Sequence, residues 1–365
     1  MAYKLIEALY NVMQKDPEDV DYLMENVAIA TVGDVMDLTG ENRIFVKQGL
    51  EMLKCTRNPG LKALIECTGI HVERLNAYHI GFVIGPCINA SGRLDTAKRA
   101  LDLLNARTRR DAVMLAEDLK ALNDSRKEMT EKGVEEAVRL IENTDLKDDK
   151  VLVVYLPDCH ESIAGIIAGR LKEKYYRPVF VLTKSEDGVK GSGRSIETYD
   201  MFAQMCRCRA LFTKFGGHKL AAGLSLEEEN VQRFRETINE LADLSDEDLQ
   251  MKVSIDMQLP FPYITEQLIH ELELLEPFGK GNPRPLFAEK NLRVIRPAVF
   301  GKNRNVLKCR LEDSAGNQME AVYFGDVEAC LAQMEKKPVM SFTYYPAVNE
   351  YMGRKTLQLT IVNYQ

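Results

Sequence analysis

Lys150-Val151-Leu152-Val153-Val154-Tyr155 is an almost unbroken run of β-branched and apolar residues, the pattern of a strand buried on both faces. Residues 163–175 follow with helical spacing, and Pro178–Leu182 repeats the strand pattern. Strand, helix, strand in that order is a βαβ unit, so the middle of the chain reads as α/β.

Working outward toward the N-terminus, Thr108 to about Asn143 is helical, heavily charged and free of proline. Its apolar residues Val113, Ala116, Leu119 and Leu122 keep to one stripe, so it reads as a connector between domains, exposed on most of its surface. Ahead of it a helix over Thr96–Leu104 is led in by Asn89-Ala90-Ser91-Gly92-Arg93. Val27–Val32 reads as a short apolar strand followed by Gly33-Asp34. A carboxylate in that place stands exposed at a strand's C-terminal end. Leu5, Leu9, Val12 and Met13 fall at helical spacing, so the sequence opens inside a helix.

Toward the C-terminus an acidic helix is expected over residues 227–242 and a strand over Val253–Leu259. The breaker-rich stretch Glu276-Pro277-Phe278-Gly279-Lys280-Gly281-Asn282-Pro283 marks a boundary. Beyond it five short strands are expected at Leu292–Ile295, Val306–Leu311, Glu320–Tyr323, Val339–Tyr345 and Leu357–Val362. One helix, Val327–Met334, lies between the third and fourth. Five strands with that helix fit a small Greek-key barrel of the OB type.

At 365 residues the chain has room for two or three domains. With 45% hydrophobic and 28% charged residues it is globular rather than disordered. No apolar run approaches the roughly 18 residues of a membrane span, and the first residues lack the pattern of an export signal, so the expected location is the cytoplasm. The eight cysteines show no CxxC pair, which leaves a structural zinc site unsupported, and all are expected as reduced thiols. Cys206-Arg207-Cys208 is expected on a helix surface. Net charge is −7, yet Lys190–Lys219 holds six Lys/Arg against two acids. Arg293, Arg296, Lys302, Arg304, Lys308 and Arg310 fall in a stretch with no acid at all. Basic faces on an acidic body suit a groove for a polyanion, although solvated surfaces would give the same count.

Four short segments set glycine beside Arg, His or Ser. In Asn89–Arg93, just ahead of a helix, backbone N–H groups and a guanidinium could hold a phosphate. His160-Glu161-Ser162-Ile163-Ala164-Gly165 ends a buried strand. In Gly191-Ser192-Gly193-Arg194-Ser195 a hydroxyl and a guanidinium two apart point to one side of an extended segment. In Phe215-Gly216-Gly217-His218 the missing side chains let a ligand approach the backbone.

Together with Thr31-Val32-Gly33-Asp34, Glu41-Asn42-Arg43 and Pro277–Pro283, these motifs closely resemble the RecJ family. That family comprises single-strand-specific 5′→3′ DNA exonucleases of the DHH phosphoesterase superfamily. The resemblance covers essentially the whole chain. It implies an α/β protein in four parts: residues 1–88 as the C-terminal remnant of a DHH catalytic domain, 89–147 as a phosphate-binding segment and linking helix, 148–250 as the DHH-associated α/β domain, and 251–365 as an OB-fold barrel. It implies a two-metal site for Mn²⁺ or Mg²⁺, of whose ligands only Asp34 has a counterpart; no Asp-His-His occurs. Two dications about 4 Å apart need several anionic or imidazole ligands, so this chain alone is expected to be catalytically incomplete.

The resemblance further assigns Asp34 and His218 to catalysis, with Asp34 as metal ligand. Arg93, Ser192 and Arg194 fall to the 5′-phosphate pocket, and His160, Gly216 and Gly217 to the same cleft, with a structural role for His160 nearly as well supported. It implies single-stranded DNA as partner, served by single-strand-binding protein and a helicase, and a role in recombination and repair. Phe300 and Tyr323 join the basic residues of the barrel as a stacking platform. The rival readings are a non-catalytic strand-binding module derived from RecJ, and a phosphoesterase of small dinucleotides, for which an extended strand platform has no use.

Overall fold

The computed structural model describes every residue except Asp95, Lys302 and Met352. The chain opens with helices α1 (Ala2–Val12), α2 (Met24–Gly33) and α3 (Gly40–Lys54). The expected strand Val27–Val32 lies inside α2, and packing explains why. A Cβ on Gly49 of α3 would stand 2.4 Å from Ala28 Cβ and 2.5 Å from the Met24 carbonyl oxygen. The bare backbone of α3 thus lets α2 cross in contact, burying Met24, Ala28 and Thr31 at helical spacing. That burial outweighs the strand preference of Val27, Ile29 and Val32.

Next come α4 (Pro59–Cys67), the single turn α5 (Ala77–His79), α6 (Gly85–Leu94), α7 (Lys98–Leu104) and α8 (Arg109–Asn143). Asn58 starts α4 by accepting from the amides of Gly60 and Leu61, and Thr108 starts α8 by accepting from Asp111; both are N-caps ahead of good helix formers. Asn89–Arg93 is not a loop ahead of a helix but the last turns of α6, where Ser91 is fully buried and donates to the Ile88 carbonyl.

The α/β part runs β1 (Leu152–Tyr155), α9 (Glu161–Tyr175), β2 (Val179–Ser185), β3 (Gly188–Arg194), α10 (Met201–Arg207), β4 (Lys214–His218), β5 (Ala221–Leu226) and α11 (Val231–Glu240). The sheet order is β1-β2-β3-β5-β4, with β1 and β2 parallel and the other neighbours antiparallel. One face of β1 and β2 packs under α9 and the end of α8 through Ile163, Ile167, Leu171, Ala137 and Ile141. The other face runs the full width of the sheet, over Phe180, Leu182, Leu224, Met201, Phe234 and Ile238. Burial on both sides accounts for the apolar run at 151–154. All eight cysteines are free thiols; Cys206 is exposed, whereas Cys208 is buried past the end of α10.

The C-terminal part holds β6 (Met257–Gln258), α12 (Glu266–Glu273), β7 (Phe287–Phe300), β8 (Val306–Glu312), β9 (Gln318–Tyr323), α13 (Val327–Lys336), β10 (Val339–Tyr351) and β11 (Arg354–Tyr364). The strand expected over Val253–Leu259 shrinks to the two residues of β6. Strands β7-β8-β9-β11-β10 are neighbours in that order, and β10 pairs back on β7. That closure makes the five-stranded barrel the pattern predicted. Leu292, Leu307, Phe342, Tyr344 and Leu359 fill it, and α13 adds Val327, Cys330 and Met334.

The chain divides into two compact units, residues 52–252 and residues 1–51 with 253–365. In the second, Pro277–Pro283 is a docking element rather than only a boundary. The Leu38 amide donates to the Lys280 carbonyl, Lys280 pairs with Asp37 at 3.1 Å, and Gly279 lies bare against Leu38. Arg43 donates to the carbonyls of Leu274, Leu275 and Glu276 at 3.3, 3.1 and 3.0 Å.

Candidate phosphate site and strand face

On β3, β5 and β4 only one face is buried; the other is open beyond the reach of α9. Cross-strand register sorts its residues into three rungs. Arg194 lies opposite Ala221, which lies opposite His218. Ser192, Gly223 and Gly216 form the middle rung, and Lys190, Ser225 and Lys214 the third. Strands about 4.8 Å apart put the outer members of one rung roughly 10 Å from each other. The alternation expected of Ser192 and Arg194 thus holds, and it brings His218 and Gly216 onto the same face.

Gly165 of α9 sits over this face. A Cβ there would be 2.9 Å from Arg194 Nη2 and 3.5 Å from Ser192 Cβ. Arg194 donates from Nη1 to its neighbour's carbonyl at Gly193, 2.8 Å away. Burial, and then the charge of Arg93, hold its guanidinium below the ordinary arginine range. Arg93 donates to the Ser162 carbonyl at 3.1 Å. Because its segment is helical, its backbone amides are spent inside α6; what it offers an anion is the guanidinium.

A third guanidinium escaped the sequence reading. Arg126 of α8 has a buried Nε with no partner, and burial followed by the charges of Arg93 and Arg170 pushes its ionisation down. The signal was present: Asn123, Arg126 and Thr130 continue the spacing of the buried stripe Ala112, Ala116, Leu119, so polar residues stand where the helix faces inward. Among the described residues, none of Arg93, Arg126 and Arg194 is paired with a carboxylate. Like charges gathered in a half-buried place without counter-charge favour an anion between them.

His160 caps α9. Its Nδ1 accepts from the Ser162 amide at 3.3 Å and lies 2.7 Å from Ser162 Oγ. His218 is exposed at the β4–β5 turn, and its Nδ1 accepts from the Leu220 amide at 3.2 Å. In both residues the accepting Nδ1 leaves Nε2 as the N–H side. The two glycines before His218 differ. At Gly217 a Cβ would lie 2.4 Å from the Ala221 carbonyl oxygen, whereas at Gly216 it would meet nothing within 4 Å. Gly217 is bare because the hairpin demands it; Gly216 leaves the face open.

Asp34 belongs to the other unit. It is the exposed C-terminal cap of α2, its amide bonded to the Ala30 carbonyl, and not the end of a strand. Among the described residues no three His, Cys, Asp or Glu side chains gather so as to hold a metal ion. The donors around Asp34 therefore do not fit a two-metal site.

On the barrel, cross-strand acids neutralise part of the predicted basic strip. Arg310 pairs with Glu320 at 2.6 Å and Arg293 with Glu312 at 3.7 Å. Arg296, Arg304 and Lys308 have no carboxylate partner among the described residues; Lys302 lies outside them. Lys308 Nζ stands 5.6 Å from the centre of the half-exposed Phe300 ring. Tyr323, by contrast, is partly buried, edge-on to Tyr364 at 5.6 Å, and is not free to stack.

An α/β sheet with an arginine-walled face, carried with an OB barrel, matches known domains. Residues 148–243 match the sequence model of the DHHA1 domain and residues 255–363 that of the RecJ OB domain. The chain is 33% identical over 367 residues to a single-stranded-DNA-specific exonuclease RecJ of Bacillus subtilis, covering 99% of this chain and 45% of that protein. It is 34% identical over 353 residues to the Escherichia coli enzyme of the same name, covering 93% and 60%. The crystal structure of RecJ from Thermus thermophilus in complex with Mg²⁺ superposes with a TM-score of 0.86 at 27% identity, over all of this chain and 55% of that one. The same protein was also solved with Mn²⁺.

Fold and site thus define a DHHA1-type α/β domain joined to an OB barrel. The chain carries DHHA1 and RecJ OB domains and resembles RecJ exonucleases over nearly its whole length, and it spans about half to three fifths of the length of the relatives it matches. No helix among the described residues is long and apolar enough to cross a membrane.

Proposed function

We propose that this chain grips single-stranded DNA by its 5′-phosphorylated end, as the strand-holding part of a RecJ-type 5′→3′ exonuclease acting in recombination and repair in the cytoplasm. The observation that carries this reading is the trio Arg93, Arg126 and Arg194, without a carboxylate partner among the described residues, beside the Ser192 hydroxyl. The guanidiniums and hydroxyl take the terminal phosphate, the open Gly216 lets the first sugar lie against the sheet, and Gly217 holds the turn that presents His218 toward the scissile region. His160 orders the first turn of α9, whose Ser162 carbonyl anchors Arg93. The barrel offers single strands Arg296, Arg304, Lys308 and Phe300, giving affinity without sequence preference. In domain terms, 1–88 belongs to the catalytic part, 89–147 to the phosphate-binding segment and linking helix, 148–250 to the DHH-associated part and 251–365 to strand capture. Single-strand-binding protein and a helicase fit as partners that deliver such strands.

Mn²⁺ or Mg²⁺ would supply the attacking hydroxide and neutralise the phosphate in the complete enzyme. Asp34 alone does not hold two such ions, so the 365-residue chain on its own is expected to digest nothing. That favours, for the isolated chain, the second reading of a non-catalytic strand binder. The test is affinity for 5′-phosphorylated against 5′-hydroxyl single strands. Arg93→Ala and Arg194→Ala should each cost the phosphorylated strand about 1.5–3 kcal/mol, the usual value of a charge-assisted hydrogen bond, and the hydroxyl strand much less. Equal losses on both would reject the phosphate role. Mn²⁺-dependent digestion by this chain alone, surviving Asp34→Ala, would reject the incompleteness and the metal assignment together.

A further inference from the structure

Next to the arginine trio the open sheet face deepens into a cavity of about 380 Å³. It lies between the first turn of α9 and the lower two rungs, lined among others by Ser162, Lys190, Ser192, Lys214 and Ser225. Ser192 and Ser162 belong to both places: Ser192 shares its face with Arg194, and the Ser162 carbonyl holds Arg93. The cavity is therefore continuous with the proposed phosphate site but lies on the side away from His218, since Lys190 and Lys214 occupy the rung farthest from it. Successive same-face positions on a strand are about 6.8 Å apart, so this rung is one step beyond Ser192.

The chemistry of the lining selects among occupants. Lys190 is paired with Glu161 at 2.7 Å, and Lys214 has no hydrogen-bond or ion-pair partner among the described residues. The balance is one unspent positive charge, with serine hydroxyls around it and the N-terminal turn of α9 at the edge, an end that favours anions. A nucleobase would need a ring to lie on. Among the described residues that line the cavity, the one aromatic, Phe215, turns to the opposite face of the sheet, 5.9 Å from Phe202 and 5.3 Å from Phe212 by ring centres. A polar, cationic recess without a stacking surface suits phosphate.

We propose that this recess receives the β- and γ-phosphates of a 5′-triphosphorylated strand, so that the chain accepts triphosphate ends as well as monophosphate ends. The α-phosphate keeps the arginine site, Lys214 takes the outer phosphates, and Ser225 offers them a hydroxyl donor. The inference rests on the proposed 5′-phosphate role of Arg93 and Arg194.

The experiment measures binding of the full chain to one fluorescent single strand carrying a 5′-hydroxyl, a 5′-monophosphate or a 5′-triphosphate. The triphosphate strand should bind about 3- to 10-fold more tightly than the monophosphate strand, the gain of one added charge-assisted contact. Lys214→Ala should abolish that gain while changing monophosphate affinity less than about twofold, and Lys214→Arg should keep it. Lys214 is exposed, so the variants fold, which a thermal melt checks. A triphosphate strand that binds no better than the monophosphate strand overturns the proposal. So does an equal loss on both strands in Lys214→Ala, which would make the lysine a contact to an internal phosphate. So does an intact gain in Lys214→Ala. If hydroxyl and monophosphate strands bind alike, the arginine site itself has failed, whereas a monophosphate preference with no triphosphate gain defeats only this inference.

Discussion

Gly165→Ala should separate stability from recognition. Gly165 is an interior residue of α9, where alanine is favoured over glycine by roughly 0.5–1 kcal/mol. The new methyl would stand 2.9 Å from Arg194 Nη2 and 3.4 Å from its Cζ. Because the crowded atoms are the far end of a flexible side chain, the guanidinium moves and the helix does not. Melting temperature should therefore hold or rise by about 1–4 °C, the shift expected of that stabilisation in a domain near 200 residues. A displaced Arg194 loses part of a charge-assisted bond worth about 1.5–3 kcal/mol. Affinity for 5′-phosphorylated strands should fall roughly 3- to 12-fold, about 0.7–1.5 kcal/mol, with 5′-hydroxyl strands barely affected. Fluorescence polarisation with the two strands, beside a thermal melt of each protein, reads both numbers. A raised melting temperature with undiminished preference for the phosphorylated end would refute the placement of Arg194 at the phosphate.

On the barrel, Phe300→Ala should weaken single-strand binding by about 1–3 kcal/mol, while Arg310→Ala should cost less than about 0.5 because Glu320 already neutralises it; titrations of the two variants in parallel check the order. Arg43→Ala removes the donor to three carbonyls and should destabilise the unit of 1–51 with 253–365 by about 1.5–3 kcal/mol in denaturant melts, and an unchanged midpoint would contradict the anchoring of Leu274–Glu276 by Arg43. Burial holds the His79 imidazole below its ordinary value, and its Nδ1 accepts from the Asn76 amide at 3.2 Å. The unfolded chain therefore binds the proton more readily, so stability is full above about pH 6.5 and is lost as pH falls through the lowered folded value; His79→Gln should flatten that part of the urea-midpoint profile.

What the sequence made legible follows from how local the signal was. Strand β1, helix α9 and the barrel strands carry their own periodicity, and each is found where the pattern put it. Helix α2 could not be read, because its cause is Gly49 on another helix. The charge of the barrel strip was overcounted for a similar reason: Glu312 and Glu320 lie outside the stretch counted, and only strand register brings them to Arg293 and Arg310. Arg126 was missed because one more charge on a polar helix looks solvated; its neighbours on the buried stripe were the clue. Arg194 and Ser192 were legible because a two-residue alternation fixes their side without any tertiary knowledge.

Residues 1–51 share a unit with residues 253–365, and the 201 residues between them form a unit of their own. During synthesis the parts of the outer unit are thus separated in time. At about 5–20 residues per second, residue 253 leaves the ribosome roughly 10–40 s after residue 51. For that interval Leu38 lacks the Lys280 backbone on which it docks, while residues 52–252 already have every partner of their own core. The inner unit can complete itself first, and the opening helices wait for the last third of the chain. A ribosome stalled before residue 253 would leave those helices without their docking surface, a natural recognition feature for chaperones and proteases.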